Sequence, residues 1–278
     1  MKNTPARAQF KKHLGQANHF MITSLVGLHH LEASDVVEAP AELHTSWNPH
    51  NKTASTARSR IFVLQSSLGW AVDSLDMYIS LLNRKPDYIR NPALKSEIDG
   101  AGRSVYKKVF AVGYHYKISG DILALVDVLI TWRNNVFHQL GDNILRQSSI
   151  DFLLSNEAEI QRKYRGLSPA LLPKKAASGD ILTFKETASL ISAAQHFSQE
   201  VDEAIIADLD LRTFCEDLIE EQINGPDRSV SFTSKYFSIT PSDRSRFVSN
   251  WLQNNYGISG VSSDILAACC SVKKSSSS

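Results

Sequence analysis

Apolar residues recur at steps of three and four from Ile61 to Leu82, and this pattern constrains the fold more than any other feature of the sequence. Such spacing places apolar side chains along one face of an α-helix. Arg84-Lys85-Pro86 is expected to end the helix, because proline cannot continue it and basic residues favour its negative C-terminal end. The pattern predicts an amphipathic helix of roughly 25 residues. Its apolar face carries Ile61, Leu64, Leu68, Ala71, Leu75, Tyr78 and Leu82.

The same helical spacing occurs along most of the chain, whereas strand-like alternation is scarce. The sequence therefore predicts an all-α protein, a helical bundle with additional C-terminal helices. A short β-ribbon is the one exception, expected over 228–239, where polar and apolar residues alternate. Helices are expected over 6–31, 104–118, 121–140, 148–164, 184–223 and 242–256.

The hydrophobic content of 42% is enough to build a substantial core, and composition along the chain predicts how that core is divided. Residues 1–166 are expected to form the bundle, with its centre at about 53–166. Residues 167–182 contain proline, glycine and lysine and are predicted to be a linker. Residues 183–272 are expected to form a C-terminal helical region without an assigned role, and 273–278 a disordered tail.

Three cysteines, Cys215, Cys269 and Cys270, indicate a reducing compartment. The adjacent pair cannot close an ordinary disulfide loop and does not provide the CxxC spacing of a zinc site. No stretch approaches the length of an apolar membrane span, and the polar, basic start lacks the apolar core of a signal peptide. We therefore expect a cytoplasmic protein without a membrane segment, a metal site or a cofactor.

Basic residues outnumber acidic residues between Arg84 and Lys117, although the formal net charge of the chain is only +1. That total excludes a uniformly basic nucleic-acid binder but allows a local basic surface. Aromatic and basic residues alternate here, as expected where bases stack and phosphates are neutralised. An amphipathic helix with a solvated basic face is the alternative. The candidate RNA-binding residues are Tyr106, Lys107, Lys108, Tyr114 and Lys117.

Arg133 interrupts the apolar face of the helix predicted at 121–140. A guanidinium keeps its proton and is costly to bury alone, so Arg133 needs a carboxylate, a helix end or a bound phosphate as a partner. Asp73 and Asp76 are candidate partners for Arg133 or for His138, and a solvated surface role is the alternative for both. The opposite face of the helix carries the polar line Asp127, Thr131, Asn134 and His138.

The segment Arg133-Asn134-Asn135-Val136-Phe137-His138 resembles the motif of the HEPN domains. These are helical bundles marked by Arg, usually a polar residue, and His after four to six intervening positions near a helix end. Many are metal-independent endoribonucleases that act as toxins or in antiviral defence, and the Arg and His of two protomers meet in a shared cleft. The resemblance implies a homodimer with a composite active site, RNA as substrate, and an antitoxin or regulatory protein as a further partner.

Carried over from the family, His138 would be the general acid and base, Arg133 would hold the scissile phosphate, and Asn134 would orient one of them. RNA supplies its own nucleophile, the 2′-hydroxyl, so this chemistry needs no metal. On a straight helix Arg133 and His138 project about 140° apart. Three arrangements remain open: the helix loosens near Asn135, Arg133 reaches round from the apolar face, or the partner subunit supplies one of the two residues.

Two other functions are compatible with the sequence. A non-catalytic module could use the same fold to dimerise or to bind a nucleotide or a partner protein, and an unrelated helical scaffold could carry the motif by chance. Metal chemistry has little support, because His29, His30 and Glu32 lack the i, i+4 histidine pair of a zincin helix. No glycine-rich phosphate loop occurs in the sequence either.

Overall fold

The computed structural model of the protein describes residues 1–34, 39, 41–47, 49–137 and 144–275, and every regular element in these ranges is helical. The prediction of an all-α protein is confirmed. No helix in these ranges is long and apolar enough to cross a membrane. The helices are α1 (Pro5–Ala33), α2 (Lys52–Leu82), α3 (Pro92–Gly100), α4 (Val105–His115), α5 (Gly120–Phe137), α6 (Gln147–Ser155), α7 (Glu157–Lys163), α8 (Leu172–Ser178), α9 (Phe184–Asp208), α10 (Leu211–Asn224), α11 (Val230–Ser238), α12 (Pro241–Tyr256) and α13 (Ser263–Cys270), with short 3₁₀ helices at Ala41–Leu43 and Pro169–Leu171.

The chain divides into two compact units, each assembled from separate stretches of sequence. The larger unit contains Gln9–Ser80 and Asn91–Val201, and the smaller contains Met1–Ala8, Leu81–Arg90 and Asp202–Ser278. The predicted boundaries at 166 and 183 do not coincide with this division. The physical reason is that the long helices α1, α2 and α9 each contribute residues to both units, which no local change of composition reveals.

Helix α5 is the central helix of the larger unit. Every residue from Ala124 to Trp132 is buried, so the helix is covered on all sides over its middle turns. Helices α6 and α8 make the most extensive contacts with it. A helix that is covered all round belongs to the core, whereas an amphipathic helix lies at its edge.

Helix α2 follows the predicted apolar pattern closely. Leu64, Leu68, Ala71, Leu75 and Tyr78 are buried, and the helix ends at Leu82, just before Arg84-Lys85-Pro86. The buried hydroxyl of Tyr78 donates a hydrogen bond to the Ser198 carbonyl oxygen of α9, at 3.0 Å. The prediction of an amphipathic helix that ends before Arg84 is confirmed, but the helix has 31 residues, which is more than expected, and Ile61 is only half-buried.

The segment predicted as a linker at 167–182 is packed structure instead. Leu172 and Ala176 of α8 are completely buried, and Lys175 Nζ lies 2.8 Å from both carboxylate oxygens of Glu186 in α9. The two prolines, Pro169 and Pro173, stand in the first turns of the 3₁₀ helix and of α8. Proline is tolerated there because the first backbone N–H groups of a helix have no partner within it, so these prolines begin helices.

The smaller unit has its core between α10, α11, α12 and α13. The ring of Phe214 in α10 lies 5.1 Å from that of Tyr88, and the Tyr236 hydroxyl of α11 donates to the Cys269 carbonyl oxygen of α13 at 2.7 Å. Val248 and Leu252 of α12 are also completely buried. Helix α13 packs against α10 and α12, and α11 packs against α10, so the four helices surround one apolar centre.

One prediction for the smaller unit is wrong, and another fails for those of its residues that the structure describes. The expected β-ribbon at 228–239 is the helix α11, in which Phe232 and Tyr236 are buried one turn apart, so helical spacing was hidden within the apparent alternation. Residues 273–275 of the predicted disordered tail are held by Asn224, whose side chain bonds to the Lys273 carbonyl oxygen and the Ser275 N–H, both at 2.8 Å. Residues 276–278 lie outside the described residues.

The contacts of Glu186 predict a pH-dependent contribution to stability. Burial raises its pKa, but hydrogen bonds from Lys175 and Thr183 outweigh burial and leave the pKa below its ordinary value. The stabilisation is therefore present above the unfolded-state pKa and is lost as pH falls through the folded-state pKa. We expect Glu186→Gln to lower the free energy of unfolding by about 1–2 kcal/mol at pH 7, since the bonds to the carboxylate are charge-assisted.

Urea denaturation at about pH 7 and pH 3.5 checks this, because the second value lies below the usual glutamate pKa of about 4.3. The difference between Glu186→Gln and wild type should shrink at the lower pH. Glu159→Gln, at an exposed position of α7, is the matched control and should change little at either pH. A loss of the same size at both pH values would contradict the assignment.

Candidate active site at the end of the central helix

The Arg133 motif lies where α5 emerges from the core. Trp132 is buried, Arg133, Asn134, Asn135 and Val136 are half-buried, and Phe137 is exposed. Helix α5 is therefore buried as far as Trp132 and becomes partly exposed to solvent from Arg133 onwards.

Two side chains fix the end of α5 to the segment that was predicted as a linker. Trp132 Nε1 donates to the Asp180 carbonyl oxygen and Asn135 Nδ2 donates to the Ala176 carbonyl oxygen, both at 2.8 Å. The helix continues without a break through Asn135 to Phe137. Loosening of the helix near Asn135, one of the three arrangements left open by the sequence, is therefore not observed.

Arg133 is paired with a carboxylate, one of the three kinds of partner that the sequence left open. Its Nη2 lies 3.2 Å from Asp73 Oδ1 of α2, and its Nη1 donates to Asn134 Oδ1 at 3.1 Å. The Arg133 side chain is 21% exposed, whereas that of Asp73 is 66% exposed. The guanidinium is thus directed towards α2 and keeps part of its surface open to solvent. Asp76, the other candidate, instead pairs with Lys108 at 2.7 Å.

His138 lies outside the described residues, together with 139–143, and the flanking residues pack within the larger unit. Before it, the ring of Phe137 covers Gly69 of α2, where a Cβ atom would lie 3.6 Å from the ring. After it, Leu145 is buried and the Arg146 N–H donates to Asp127 at 3.3 Å. Phe137 and Arg146 are thus held by contacts within the larger unit.

Asp127 is the buried anchor of this region. Its carboxylate accepts hydrogen bonds from Ser149 Oγ at 2.6 Å, from Thr131 Oγ1 at 3.3 Å and from the Arg146 N–H. Burial raises the pKa of Asp127, and these hydrogen bonds oppose the rise only in part. The carboxylate also lies at the N-terminal end of α6, where the helix dipole favours a negative charge. Asp127 and Thr131 thus position the start of α6.

Arg146 was missed by sequence analysis. Its guanidinium carbon lies 3.7 Å from the ring centroid of Phe110, 4.9 Å from that of Tyr106 and 5.3 Å from that of Tyr114. Its Nε donates to the Tyr106 hydroxyl at 2.6 Å, and its Nη1 donates to the Tyr114 hydroxyl. An arginine far along the chain thus occupies an aromatic cage on α4, a contact that local sequence patterns do not encode.

The five candidate RNA-binding residues of α4 and its C-terminal end differ in how far they are engaged within the protein. Tyr106 and Tyr114 hold Arg146, and Lys108 is 12% exposed and paired with Asp76. Lys107 and Lys117 are exposed, as is much of the Tyr114 ring. RNA contact by these residues stays a prediction, and Lys107 and Lys117 are the members whose charges face solvent.

No family model, curated protein or solved structure matches the chain. The similarity to HEPN domains therefore rests on Arg133, Asn134 and His138 and on their place near the end of an apolar helix. A helical bundle is shared by many unrelated proteins, so it carries no function by itself. No three His, Cys, Asp or Glu side chains in the described ranges lie close enough together to hold a metal ion.

The role of Asp127 as an anchor predicts a large loss of stability on truncation. Asp127→Ala should lower the free energy of unfolding by about 2–3 kcal/mol, because it leaves buried donors of Ser149 and Arg146 without an acceptor. Asp127→Asn keeps an acceptor oxygen and should cost less than half as much. Urea denaturation measures both, and Asp151→Ala, at an exposed position of α6, is the control. A loss from Asp127→Ala no larger than that of the control would contradict this role.

Proposed function

We propose that the protein is a metal-independent endoribonuclease of the HEPN kind, a cytoplasmic homodimer in which Arg133, Asn134 and His138 of two protomers form a composite active site. The observation that carries the proposal is the position of Arg133. Its guanidinium lies at the exit of a buried helix and contacts Asp73 and Asn134, and the side chain is still 21% exposed. That is the arrangement required to bind a phosphate and then stabilise the charge that develops on it.

The reaction would be an attack of the 2′-hydroxyl of RNA on the adjacent phosphorus. The bond from phosphorus to the 2′-oxygen forms, and the bond from phosphorus to the 5′-oxygen of the next nucleotide breaks. One imidazole accepts the proton of the 2′-hydroxyl, and the leaving 5′-oxygen receives a proton from a second acid, a role that His138 of the other protomer could fill. The products are a 2′,3′-cyclic phosphate and a 5′-hydroxyl.

Asn134 and Asp73 would hold the plane of the Arg133 guanidinium before RNA binds. An arginine presents five N–H donors in a rigid fork, a geometry that matches the oxygens of a phosphate. Because Asp73 is largely exposed, its ion pair with Arg133 is worth little and is readily exchanged for a phosphate. This arrangement supports a positioning role for Asp73 and Asn134 and a direct role for Arg133.

Exposed aromatic residues on the larger unit support a protein partner. Phe137 at the end of α5 is 49% exposed, Phe62 of α2 is 70% exposed, and Phe20 of α1 is 56% exposed. Aromatic side chains are enriched where proteins associate. A second copy of the chain is the partner required by the composite site, and an antitoxin or regulatory protein would be a further one.

The second candidate function is a non-catalytic helical module that uses this fold to dimerise or to bind a nucleotide or a partner protein. The internal ion pair between Arg133 and Asp73 favours it, since an arginine already paired with a carboxylate has a structural reason to be present. Both functions predict association between chains. They differ in whether the motif is needed for cleavage of RNA.

The proposal predicts RNA cleavage in EDTA that depends on the motif. Arg133→Ala and His138→Ala should each lower the cleavage rate of a single-stranded RNA by at least about 100-fold, the usual contribution of a general acid or base and of a phosphate clamp. Arg162→Ala and His50→Ala change exposed residues of the same types elsewhere in the larger unit and should cleave like the wild type. Circular dichroism and sedimentation check that all variants stay folded and associated.

Equal cleavage by the wild type and the two motif variants would identify a contaminating nuclease and remove support for the proposal. Absence of cleavage by folded, dimeric wild type across varied RNA substrates would favour the non-catalytic module.

A further inference from the structure

A groove between α11 and α12 lies within the smaller unit and has no part in the proposed active site. We propose that it binds single-stranded RNA. Its volume of about 440 Å³ falls in the range of roughly 300–1,000 Å³ that is usual for pockets of small ligands, so a nucleotide unit fits it. The residues that matter for binding are Lys235, Arg246, Phe247, Asn250, Trp251 and Asn254.

A line of polar side chains runs along the exposed face of α12. Arg246, Asn250 and Asn254 follow one another at intervals of four residues, and all three are exposed. Within the described part of the chain none of them makes a hydrogen bond or an ion pair with another side chain. Arginine and asparagine are the side chains that form paired hydrogen bonds with the edges of guanine and adenine, so this line has the chemistry for contacting bases.

Two aromatic residues lie beside the polar line. Phe247 and Trp251 are half-buried, and both rings pack on Phe232, with centroid separations of 5.1 and 4.9 Å. Both rings are therefore fixed from inside by the core of the unit, and both residues line the groove. Rigid aromatic side chains of this kind are the usual surfaces on which unpaired bases stack. Stacking requires unpaired bases, which favours a single strand over a duplex.

The charges of the groove fit a phosphate backbone. Lys235 Nζ lies 5.1 Å from the centroid of the Phe247 ring. Arg246 directly precedes Phe247 in α12. Asp243 is the one acidic residue that lines the groove in the described structure, and its carboxylate accepts a hydrogen bond from Thr240 in the cap of α12, at 2.7 Å. Lys235 and Arg246 carry positive charges, and Asp243 carries a single negative charge that is engaged by Thr240, so the net charge of the groove is positive. A positive groove suits the phosphates of a nucleic acid better than an acidic peptide.

The choice of RNA over DNA rests on the proposed function. A nuclease benefits from contacts with parts of the substrate that do not react, because their binding energy helps to hold the strand in place. The groove would supply such contacts from exposed residues, without any part in the chemistry.

Fluorescence anisotropy with a labelled 12-nucleotide single-stranded RNA tests the proposal, using full-length His138→Ala so that the RNA stays intact. Adding Arg246→Ala and Asn250→Ala together should raise the Kd about 10-fold or more, since each base contact is worth about 1–3 kcal/mol. Arg246→Ala alone should lower the slope of log Kd against log salt by about 1. Gln253→Ala, exposed on α12 and outside the groove lining, is the control and should leave the Kd unchanged.

The same RNA affinity in the groove variants and the control would overturn the proposal and leave the groove as a site for a protein segment. An equal loss of affinity for double-stranded RNA would overturn the preference for a single strand. The cleavage assay is independent of this result. If RNA binding depends on the groove but the wild type cleaves no RNA, the groove proposal is supported and the nuclease proposal is overturned. If cleavage depends on the motif but groove substitutions do not change RNA binding, the nuclease proposal is supported and the groove proposal is overturned.

Discussion

Burial of α5 on all sides is the constraint on which the larger unit depends. From Ala124 to Trp132 no side chain of this helix is open to solvent, and each buried aliphatic or aromatic residue contributes on the order of 1.5–3 kcal/mol. The helix also contains one buried carboxylate, Asp127, which would be costly to leave without donors. Satisfying it brings the start of α6 against α5. The same helix ends in the Arg133 motif, so the packing that stabilises the unit also fixes where the motif lies.

Features set by periodicity could be predicted from the sequence, and features set by contacts between distant residues could not. The spacing of Leu64, Leu68 and Leu75 was sufficient to predict α2, because one helical face had to be apolar. The prediction of a linker at 167–182 is wrong because proline occurs both after the end of a helix and in its first turn, and Pro169 and Pro173 lie in first turns. In α11 a short segment matched both the helical and the strand period, and burial against α12 and α13 selected the helix.

In the candidate site too, some features could be predicted from the sequence and others could not. The need of Arg133 for a partner followed from elementary electrostatics, with a carboxylate as one of three possibilities, and Asp73 was one of two candidate acids for Arg133 or His138. The cage around Arg146 could not be foreseen, since it joins α4 to a residue beyond α5, and it engages two tyrosines expected to stack on RNA. At the end of α5, Arg133 reaches Asp73 of α2. This is the contact expected of an arginine that reaches round from the apolar face, and the supply of one residue by a partner subunit stays a prediction.

In the proposed reaction the 2′-hydroxyl of RNA is the nucleophile, and the protein supplies an acid, a base and a phosphate clamp. Comparing an RNA oligonucleotide with its fully 2′-O-methylated counterpart in EDTA, and determining the ends of any products, tests this reaction. Only the unmodified RNA should be cut, and its fragments should carry 2′,3′-cyclic phosphate and 5′-hydroxyl ends. Cleavage of the methylated strand, or fragments with 5′-phosphate ends, would contradict the proposed reaction.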